Sequence, residues 1–336
     1  MKETMLRYLS QEDILSLNIP YRDVIESVRA VMSAHGNGLC QVPPKIHVNT
    51  RPSAFLNAMP AYVGGSGEIA GLKWVGGYPN NRTKNLPVTT GLMVLNDAET
   101  GRPLAVMDCR WITAVRTAAV AAITAQYCSV RDTRAMTIIG AGEQGKWNAR
   151  LIKITVPTLK KILIGDIYRP AVEQYLTKMR PLLPDVEIEP IDTEADRQKA
   201  IDESQILLTA TQRGDKPIIY SRMLHKGMLG IPLESTAWEG TAYSHADRFV
   251  CDDWNLVQVY LREGKYTDGL PAEHQLLGDI INGKAIGRAN DDEFVIASSH
   301  GIALSDLAVA QMVYHLAEAC DAGVVLPLMQ EADILR

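Results

Sequence analysis

The sequence lacks the features that mark several large classes of protein. Among its 336 residues, no run reaches the roughly 18 uninterrupted apolar residues that a membrane helix needs. Residues 1–17 lack the basic segment, apolar run and small-residue cleavage site of a secretory signal. A formal net charge of −5 gives no excess of positive charge for a nucleic acid. These absences predict a cytoplasmic protein without a membrane or nucleic-acid partner.

Cysteine is also scarce, and its spacing argues against two kinds of structural site. The five cysteines are odd in number, widely spaced and without a Cys-x-x-Cys pair, so neither a disulfide framework nor a zinc cluster is indicated. None of the seven histidines has a histidine or cysteine three or four residues away, which is the spacing of a helical metal clamp. We therefore expect reduced thiols and no metal.

The first third of the chain predicts a helical opening followed by antiparallel strands. Residues 10–38 carry apolar side chains at helical spacing, with Ser10 and Asp13 placed as an N-terminal cap. Residues 43–108 are short β-branched runs, and the last two flank the turn-rich stretch DAETGR, which is typical of a hairpin. An alanine-rich segment, residues 111–128, then predicts a long helix.

The remainder predicts a parallel sheet, so we expect two domains in all. From about residue 131, short apolar runs alternate with polar, helix-like segments; the runs are AMTIIG, KILIGD, QILLTAT, GMLGIPL, RFVCDD and EFVIASS. Strands that alternate with helices are typical of a doubly wound α/β fold. Residues 305–320 predict a last amphipathic helix that Ser305 or Asp306 could cap.

A glycine-rich turn supplies the first functional signal. Gly140, Gly142 and Gly145 have the G-x-G-x-x-G spacing between an apolar strand and a helix-like stretch, which is the context of a dinucleotide site. A purely structural turn is the alternative. Asp166 closes the next strand near the offset at which an acidic residue meets the adenosine ribose. Its carboxylate would repel a 2′-phosphate and favours NAD over NADP, a preference that Arg169 could soften.

The order of motifs resembles the ornithine cyclodeaminase and mu-crystallin family over nearly the whole chain. The stretches that carry the resemblance are GLKWVGGYPNN, MDCRWITAVRTAAVAA, the glycine turn and SSHGIALSDLAVAQ. The resemblance implies a Rossmann NAD-binding domain, residues 129–304, inserted into an α+β domain for substrate binding and dimerisation. That outer domain would comprise residues 1–128 and 305–336, and the protein would be a homodimer.

The resemblance also implies a set of basic residues that bind a substrate carboxylate. Lys73 matches the family's active-site lysine, although a lysine at a strand edge could instead extend to the surface. Arg116 lies on an apolar helix face and needs an anion, either the substrate or an internal acidic side chain. Lys45 stands where the family usually has an arginine, and Thr117 resembles a threonine that reaches the cofactor phosphates.

A carboxylate and several loop residues complete the predicted site. Glu234 is the best match to the family's catalytic aspartate and would act as general acid or base, or else be an exposed loop residue. His300 is a departure from the family and could be a proton donor or a loop residue. The predicted cofactor-binding residues are Thr117, Gly140, Gly142, Glu143, Gln144, Gly145, Asp166, Thr209, Thr211, His300 and Gly301.

The predicted reaction is NAD-dependent hydride transfer at the α-carbon of a small amino or imino acid, as in an imino acid reductase or amino acid dehydrogenase. Ornithine cyclodeaminases have a glutamate where this chain has Asn57, and an amide cannot match its attraction for the ornithine ammonium. Ornithine cyclodeamination with catalytic NAD therefore stands as the alternative, beside a non-catalytic NAD(P)H-binding protein.

Overall fold

The structure is a computed structural model that describes residues 4–211 and 216–329. Contacts between Cα atoms divide the chain into two compact units. The first contains residues 1–116 and 302–336, and the second contains residues 117–301. The predicted domain limits lie at residues 128 and 304, whereas the contact-based units change over within a helix after Arg116 and again after Gly301.

The helices and strands are as follows. The α-helices are α1 Gln11–Ser16, α2 Tyr21–Gly36, α3 Arg110–Cys128, α4 Glu143–Thr155, α5 Arg169–Met179, α6 Glu194–Glu203, α7 Gly240–Ser244, α8 Trp254–Arg262, α9 Leu277–Ile281 and α10 Ala303–Cys320. The strands of the first unit are β1 Thr4–Leu9, β2 Cys40–Gln41, β3 Ile46–Arg51, β4 Ala54–Val63, β5 Ile69–Gly77, β6 Thr89–Asn96, β7 Pro103–Asp108 and β16 Val324–Met329. Those of the second are β8 Ala135–Ile139, β9 Lys161–Gly165, β10 Glu187–Pro190, β11 Ile206–Thr209, β12 Leu229–Pro232, β13 Arg248–Cys251, β14 His274–Leu276 and β15 Val295–Ser298.

The first unit is built on a mainly antiparallel sheet in the order β16-β1-β7-β6-β5-β4-β2, with β3 also paired to β4. Only the β1–β7 pair is parallel among the described pairings. One face is buried, and helix α10 packs on it against β4, β5 and β6. The predicted antiparallel strands and the β6–β7 hairpin are confirmed.

The opposite face of this sheet presents apolar side chains to solvent. Ile46, Ala58, Trp74 and Leu92 are paired in register across β3, β4, β5 and β6. Ile46, Trp74 and Leu92 are all exposed. The least exposed of the three, Trp74, still has 38% of its surface accessible to solvent. We call this row of four residues the outer apolar row.

Helical predictions in the first unit need two corrections. The capping box of Ser10 and Asp13 is present, but residues 10–38 form two helices because Pro20 begins a second one. Helix α10 begins at Ala303 behind the N-cap Ile302, so Ser305 and Asp306 lie inside its first turn and do not cap it. The chain approaches α10 in extended conformation, which supplies the N-cap geometry without a polar side chain.

The second unit is a fully parallel sheet in the order β10-β9-β8-β11-β12-β15-β13-β14. All five residues of β8 are buried, as expected for a strand covered on both faces. The chain turns one way from β8 to β9 and β10 and the other way to β11 and β12. This reversal is the switch point at which doubly wound folds bind ligands, and the predicted fold class is confirmed.

Candidate active site

A buried cluster of two cations and one carboxylate lies in the first unit. Lys73 of β5 is 1% exposed and Arg116 of α3 is 8% exposed. Lys73 Nζ donates to Asp306 Oδ1 at 2.7 Å, and Arg116 Nε donates to the same oxygen at 3.0 Å. Within the part of the chain that the structure describes, Asp306 Oδ2 is buried and has no hydrogen-bond partner. The surface position considered for Lys73 is therefore excluded, and Arg116 does have an internal acidic partner.

The charges of this cluster do not balance. Burial lowers the pKa of Lys73 to about 8, and the neighbouring Arg116 guanidinium lowers it in the same direction. The Asp306 carboxylate raises this pKa through its charge and its hydrogen bond, and the nearby Cys109 also raises it. Among the described residues, a protonated Lys73 and Arg116 form ion pairs with one carboxylate, that of Asp306, which leaves one positive charge of this buried cluster uncompensated.

The sheet and helix α10 bring these groups together. On the buried face, Lys73 is paired with Met59 on one side and Met93 on the other, and both methionines are buried. Gly71, two residues earlier on the same face, has no side chain; a Cβ there would lie 2.7 Å from a methyl group of Leu307. The missing side chain lets α10 approach the sheet closely, which places Asp306 within reach of Lys73 Nζ.

Of the other two predicted substrate residues, Asn57 lies in the same sheet and Lys45 lies directly before one of its strands. Asn57 is paired with Val75, two residues beyond Lys73, and therefore lies on the same face of the sheet as Lys73. Its Oδ1 lies 2.6 Å from Nδ1 of His47, which is its partner on β3. Lys45 is half-buried and directly precedes β3.

The glycine turn of the second unit has the shape of a phosphate cradle. Gly140 has a φ of +120°, and a Cβ there would lie 2.4 Å from the carbonyl oxygen of Ala210. A Cβ on Gly145 would lie 2.1 Å from the carbonyl oxygen of Gly140, so the backbone itself requires both glycines. Nothing lies within 4 Å of a Cβ built on Gly142, which is the N-cap of α4 and has no side-chain cap bond. The residues therefore fit a dinucleotide, because the open space at Gly142 coincides with the N-terminus of a helix, where an anion is stabilised.

Asp166 stands next to this turn, directly after β9. Its Oδ2 accepts a hydrogen bond from Ala141 N at 2.8 Å, and its Oδ1 accepts one from Tyr168 N at 2.9 Å. Arg169, which the sequence left free to meet a 2′-phosphate, forms an ion pair with Asp192. The acidic group is thus fixed beside the glycine turn, and Arg169 is paired with a different carboxylate.

Glu234 lies at the carboxyl edge of the sheet, two residues beyond the end of β12. Its carboxylate accepts hydrogen bonds from Thr211 Oγ1 at 2.9 Å and Thr211 N at 3.2 Å, in the loop that follows the adjacent strand β11. Burial raises the pKa of Glu234 to about 7, although the hydrogen bonds from Thr211 and Thr209 lower it. Thr209 is fully buried and also accepts from Trp238 Nε1 at 2.8 Å. A carboxyl group of this pKa can exchange protons near neutrality.

His300 and Gly301 follow β15, which neighbours β12 at the same edge. Their backbone N–H groups donate to the buried carboxylate of Asp252 at 3.0 and 2.8 Å. His300 Nε2 lies 2.7 Å from the hydroxyl of Tyr266. Sequence reasoning missed Asp252 and Tyr266, and the run of two aspartates after β13 is the signal that could have pointed to the first.

The remaining predicted cofactor residues are placed as follows. Glu143 and Gln144 open helix α4, and the Gln144 side chain accepts a hydrogen bond from Asn148. Thr117 is half-buried and directly follows Arg116 in α3. Asp306 is the main residue that the sequence did not identify, since it was considered only as a helix cap. A carboxylate within the otherwise apolar start of α10 was the available signal.

The described residues form neither a cluster of metal ligands nor a membrane-spanning helix. No group of three or more histidine, cysteine, aspartate or glutamate side chains at residues 4–211 and 216–329 is arranged to hold a metal ion. Over the same residues, none of the helices has the length and apolarity to cross a membrane.

Comparisons with known proteins agree with this geometry. The family model described as Ornithine cyclodeaminase/mu-crystallin family matches residues 3–321. Nodulation efficiency protein NfeD of Rhizobium meliloti is 30% identical over 326 residues, covering 96% of this chain and 98% of that protein.

Two solved structures share 26% sequence identity with the chain. One is the Delta(1)-pyrroline-2-carboxylate reductase of Thermococcus litoralis, in complex with NADH and L-proline. It superposes with a TM-score of 0.82, and the match covers 95% of this chain and 99% of the reductase chain. An archaeal alanine dehydrogenase dimer with bound NAD has a TM-score of 0.84 and covers 97% and 100% respectively.

Proposed function

The chain belongs to the ornithine cyclodeaminase/mu-crystallin family, and on that premise we propose that it is an NAD-dependent oxidoreductase acting at the α-carbon of a small amino or imino acid. Imino acid reduction and amino acid dehydrogenation are the two directions of this one reaction. Relatives with these activities support the assignment, since one similar structure is a pyrroline-carboxylate reductase and another an alanine dehydrogenase.

The uncompensated charge at Lys73 and Arg116 is the observation that carries the proposal. A buried cation without its own anion is costly, so the site favours a ligand with one negative group. Arg116 uses Nε for Asp306, which leaves the fork of its two Nη groups for a second carboxylate. The α-carboxylate of an amino or imino acid meets both requirements, and Lys45 is the third basic residue that we assign to it.

NAD is the cofactor that the second unit suits. Gly140, Gly142 and Gly145 would seat the pyrophosphate at the start of α4, and Asp166 would accept hydrogen bonds from the ribose hydroxyls. The ion pair of Arg169 with Asp192 supports NAD over NADP, because it withholds a cation that a 2′-phosphate would need. When bound, NAD(H) accepts or supplies the hydride.

The protein residues supply orientation and a proton. Arg116 and Lys73 hold the substrate carboxylate, so the α-carbon is presented in one orientation. Glu234 exchanges a proton with the substrate nitrogen or with water: in reduction the protonated acid donates, and in oxidation the carboxylate accepts. We further propose that Thr117, Thr209, Thr211, His300 and Gly301 line the cofactor site.

Cyclodeamination of ornithine is less well supported. It requires an anion for the distal ammonium of the substrate, and the position considered for that anion holds Asn57, an uncharged amide in contact with His47. A cyclodeaminase would release ammonia from ornithine without net formation of NADH, whereas a dehydrogenase or reductase changes the NADH concentration.

We also propose a cytoplasmic homodimer formed through the outer apolar row. Ile46, Trp74 and Leu92 present apolar area along one sheet face, as expected at an obligate interface. The similar archaeal alanine dehydrogenase is a dimer. All five cysteines carry free thiols, which favours a reducing compartment.

The deciding experiment is a panel of imino and amino acids tested with NAD(H), followed by Arg116→Ala. We expect turnover of Δ1-pyrroline-2-carboxylate or a related imino acid, and a loss of kcat/KM of about 100-fold or more in the variant, because a buried charged contact is removed. NADH binding, followed by fluorescence, should persist. Arg102→Ala is the matched control, since Arg102 is an exposed arginine of the same unit. Unchanged turnover in Arg116→Ala would reject the assigned site.

A further inference from the structure

Asp306 binds its two cations in an unusual way. Arg–carboxylate pairs commonly use both carboxylate oxygens in two parallel hydrogen bonds. Here Lys73 Nζ and Arg116 Nε meet at the same oxygen, Oδ1, while Oδ2 is buried without a partner among the described residues. This geometry leaves binding capacity unused on every member of the cluster.

The unused donors are the ones that a ligand needs. The structure gives Lys73 one hydrogen bond to a described residue, although an ammonium has three N–H donors. Arg116 likewise makes one hydrogen bond to the described chain, from Nε. Asp306 therefore holds each cation by a single contact and leaves the remaining donors to another anion.

Asp306 also governs the charge of Lys73. Three titratable groups face the Lys73 ammonium: Arg116 from α3, Asp306 from α10 and Cys109 at the end of β7. Its neighbours on β4 and β6 are Met59 and Met93, which carry no charge. Burial and Arg116 lower the pKa of Lys73, and Asp306 is the main group that raises it. Removal of the Asp306 charge would therefore lower this pKa further.

The fold supports a charged Asp306 at this depth. The residue is fully buried in the first turn of α10, an 18-residue helix. Unpaired N–H groups at a helix N-terminus stabilise a nearby anion. The helix N-terminus thus offsets part of the cost of burying a carboxylate that has only one of its oxygens paired among the described residues.

We propose that Asp306 is a positioning residue of the active site, which holds Lys73 and Arg116 together so that both face the substrate carboxylate. The inference rests on the proposed function, since it assigns the carboxylate to those two cations. Asp306 itself need not touch the substrate, and it acts through the two basic side chains.

Asp306→Asn tests the proposal because it keeps the shape of the side chain and removes its charge. We expect KM for the imino acid at about pH 8 to rise about tenfold or more, with a smaller change in kcat, because ground-state binding of the carboxylate is weakened. The KM ratio of variant to wild type should fall as the pH is lowered to about 6, since the lower pH returns the proton to Lys73. The ionisation of the substrate is common to both enzymes and cancels in the ratio. NADH binding should be unchanged.

Ser305→Ala is the matched control, because Ser305 is the adjacent buried polar residue and donates only to the Ile302 carbonyl. A folded Asp306→Asn enzyme with wild-type KM at both pH values, or with a KM ratio independent of pH, would overturn the proposal. If Asp306→Asn does not fold, Asp306→Glu replaces it: a retained pH dependence of KM supports the proposal, and a displaced one overturns it. Failure of the proposed function is separate, since it would appear as unchanged turnover in Arg116→Ala.

Discussion

Substitution of Thr211 by valine should change the pH dependence of the reaction in a defined direction. The Thr211 hydroxyl donates to Glu234 Oε1 at 2.9 Å, and this bond favours the charged carboxylate. Valine removes the hydroxyl bond but keeps the backbone N–H bond to Oε2. The protonated acid should therefore persist to higher pH in the variant than in the wild-type protein.

The size of the shift follows from the strength of the lost bond. A hydrogen bond to a charged group contributes about 1.5 to 3 kcal/mol, and one pKa unit corresponds to about 1.4 kcal/mol. Glu234 is only partly buried by its accessible surface, so solvent screening favours the low end, about one unit. In the reductive direction, where we propose that Glu234 is protonated, kcat/KM should fall near pH 7 in the wild type and at about pH 8 in Thr211→Val.

The assay is NADH oxidation at Δ1-pyrroline-2-carboxylate concentrations well below KM, which gives kcat/KM, measured from about pH 5.5 to about pH 9.5. Thr177→Val is the control, because the Thr177 hydroxyl donates to a backbone carbonyl on the surface of α5. Glu234→Gln should lower kcat by about 100-fold or more and abolish the fall near pH 7. The reasoning is refuted if Glu234→Gln still loses activity near pH 7, or if the pH at which activity is half lost is the same in Thr211→Val as in the wild type.

Three other predictions concern the cofactor and the assembly. Gly142→Leu should fold normally and bind NADH about tenfold more weakly, as measured by titration, because the leucine side chain would enter the open cradle. Gly145→Ala should instead lower the thermal unfolding midpoint, because its Cβ meets the backbone. In the wild type, kcat/KM should be about tenfold or more higher with NADH than with NADPH. Asp192→Ala should lower this NADH-to-NADPH ratio, because it frees Arg169 to meet the 2′-phosphate of NADPH. An unchanged ratio in the variant would contradict the role given to the ion pair. Trp74→Glu should shift the protein from dimer towards monomer in sedimentation velocity without loss of secondary structure, and an unaffected dimer would exclude this face.

The parallel sheet was readily predicted because each of its main strands is a short apolar run between polar segments. Five strands escaped prediction: β1, β2, β10, β14 and β16. In β1 only Leu9 is fully buried, so no alternation of buried and exposed positions marks it. β2 and β14 have only two or three residues, and β10 is polar at alternate positions. The edge strand β16 is apolar but exposed throughout, so its pattern has no buried face to recognise.

The candidate site was predicted unevenly for a physical reason. The glycine spacing and the motif around Lys73 are local signals, which a sequence can carry by itself. The pairing of Lys73 with Asp306 joins residues that are 233 positions apart, and no periodicity connects them. The raised pKa of Glu234 depends on burial by neighbouring elements, which composition and spacing do not contain.

The long separation between Lys73 and Asp306 has a consequence for biosynthesis. Strand β5 and the start of α3 leave the ribosome before the second unit does, but their carboxylate partner and the β16 strand that pairs with β1 are made after that unit. Until then the nascent chain carries two basic groups with no apolar helix to cover them. A polypeptide that stops after the second unit would contain the glycine turn but lack the Asp306 carboxylate that both basic groups contact.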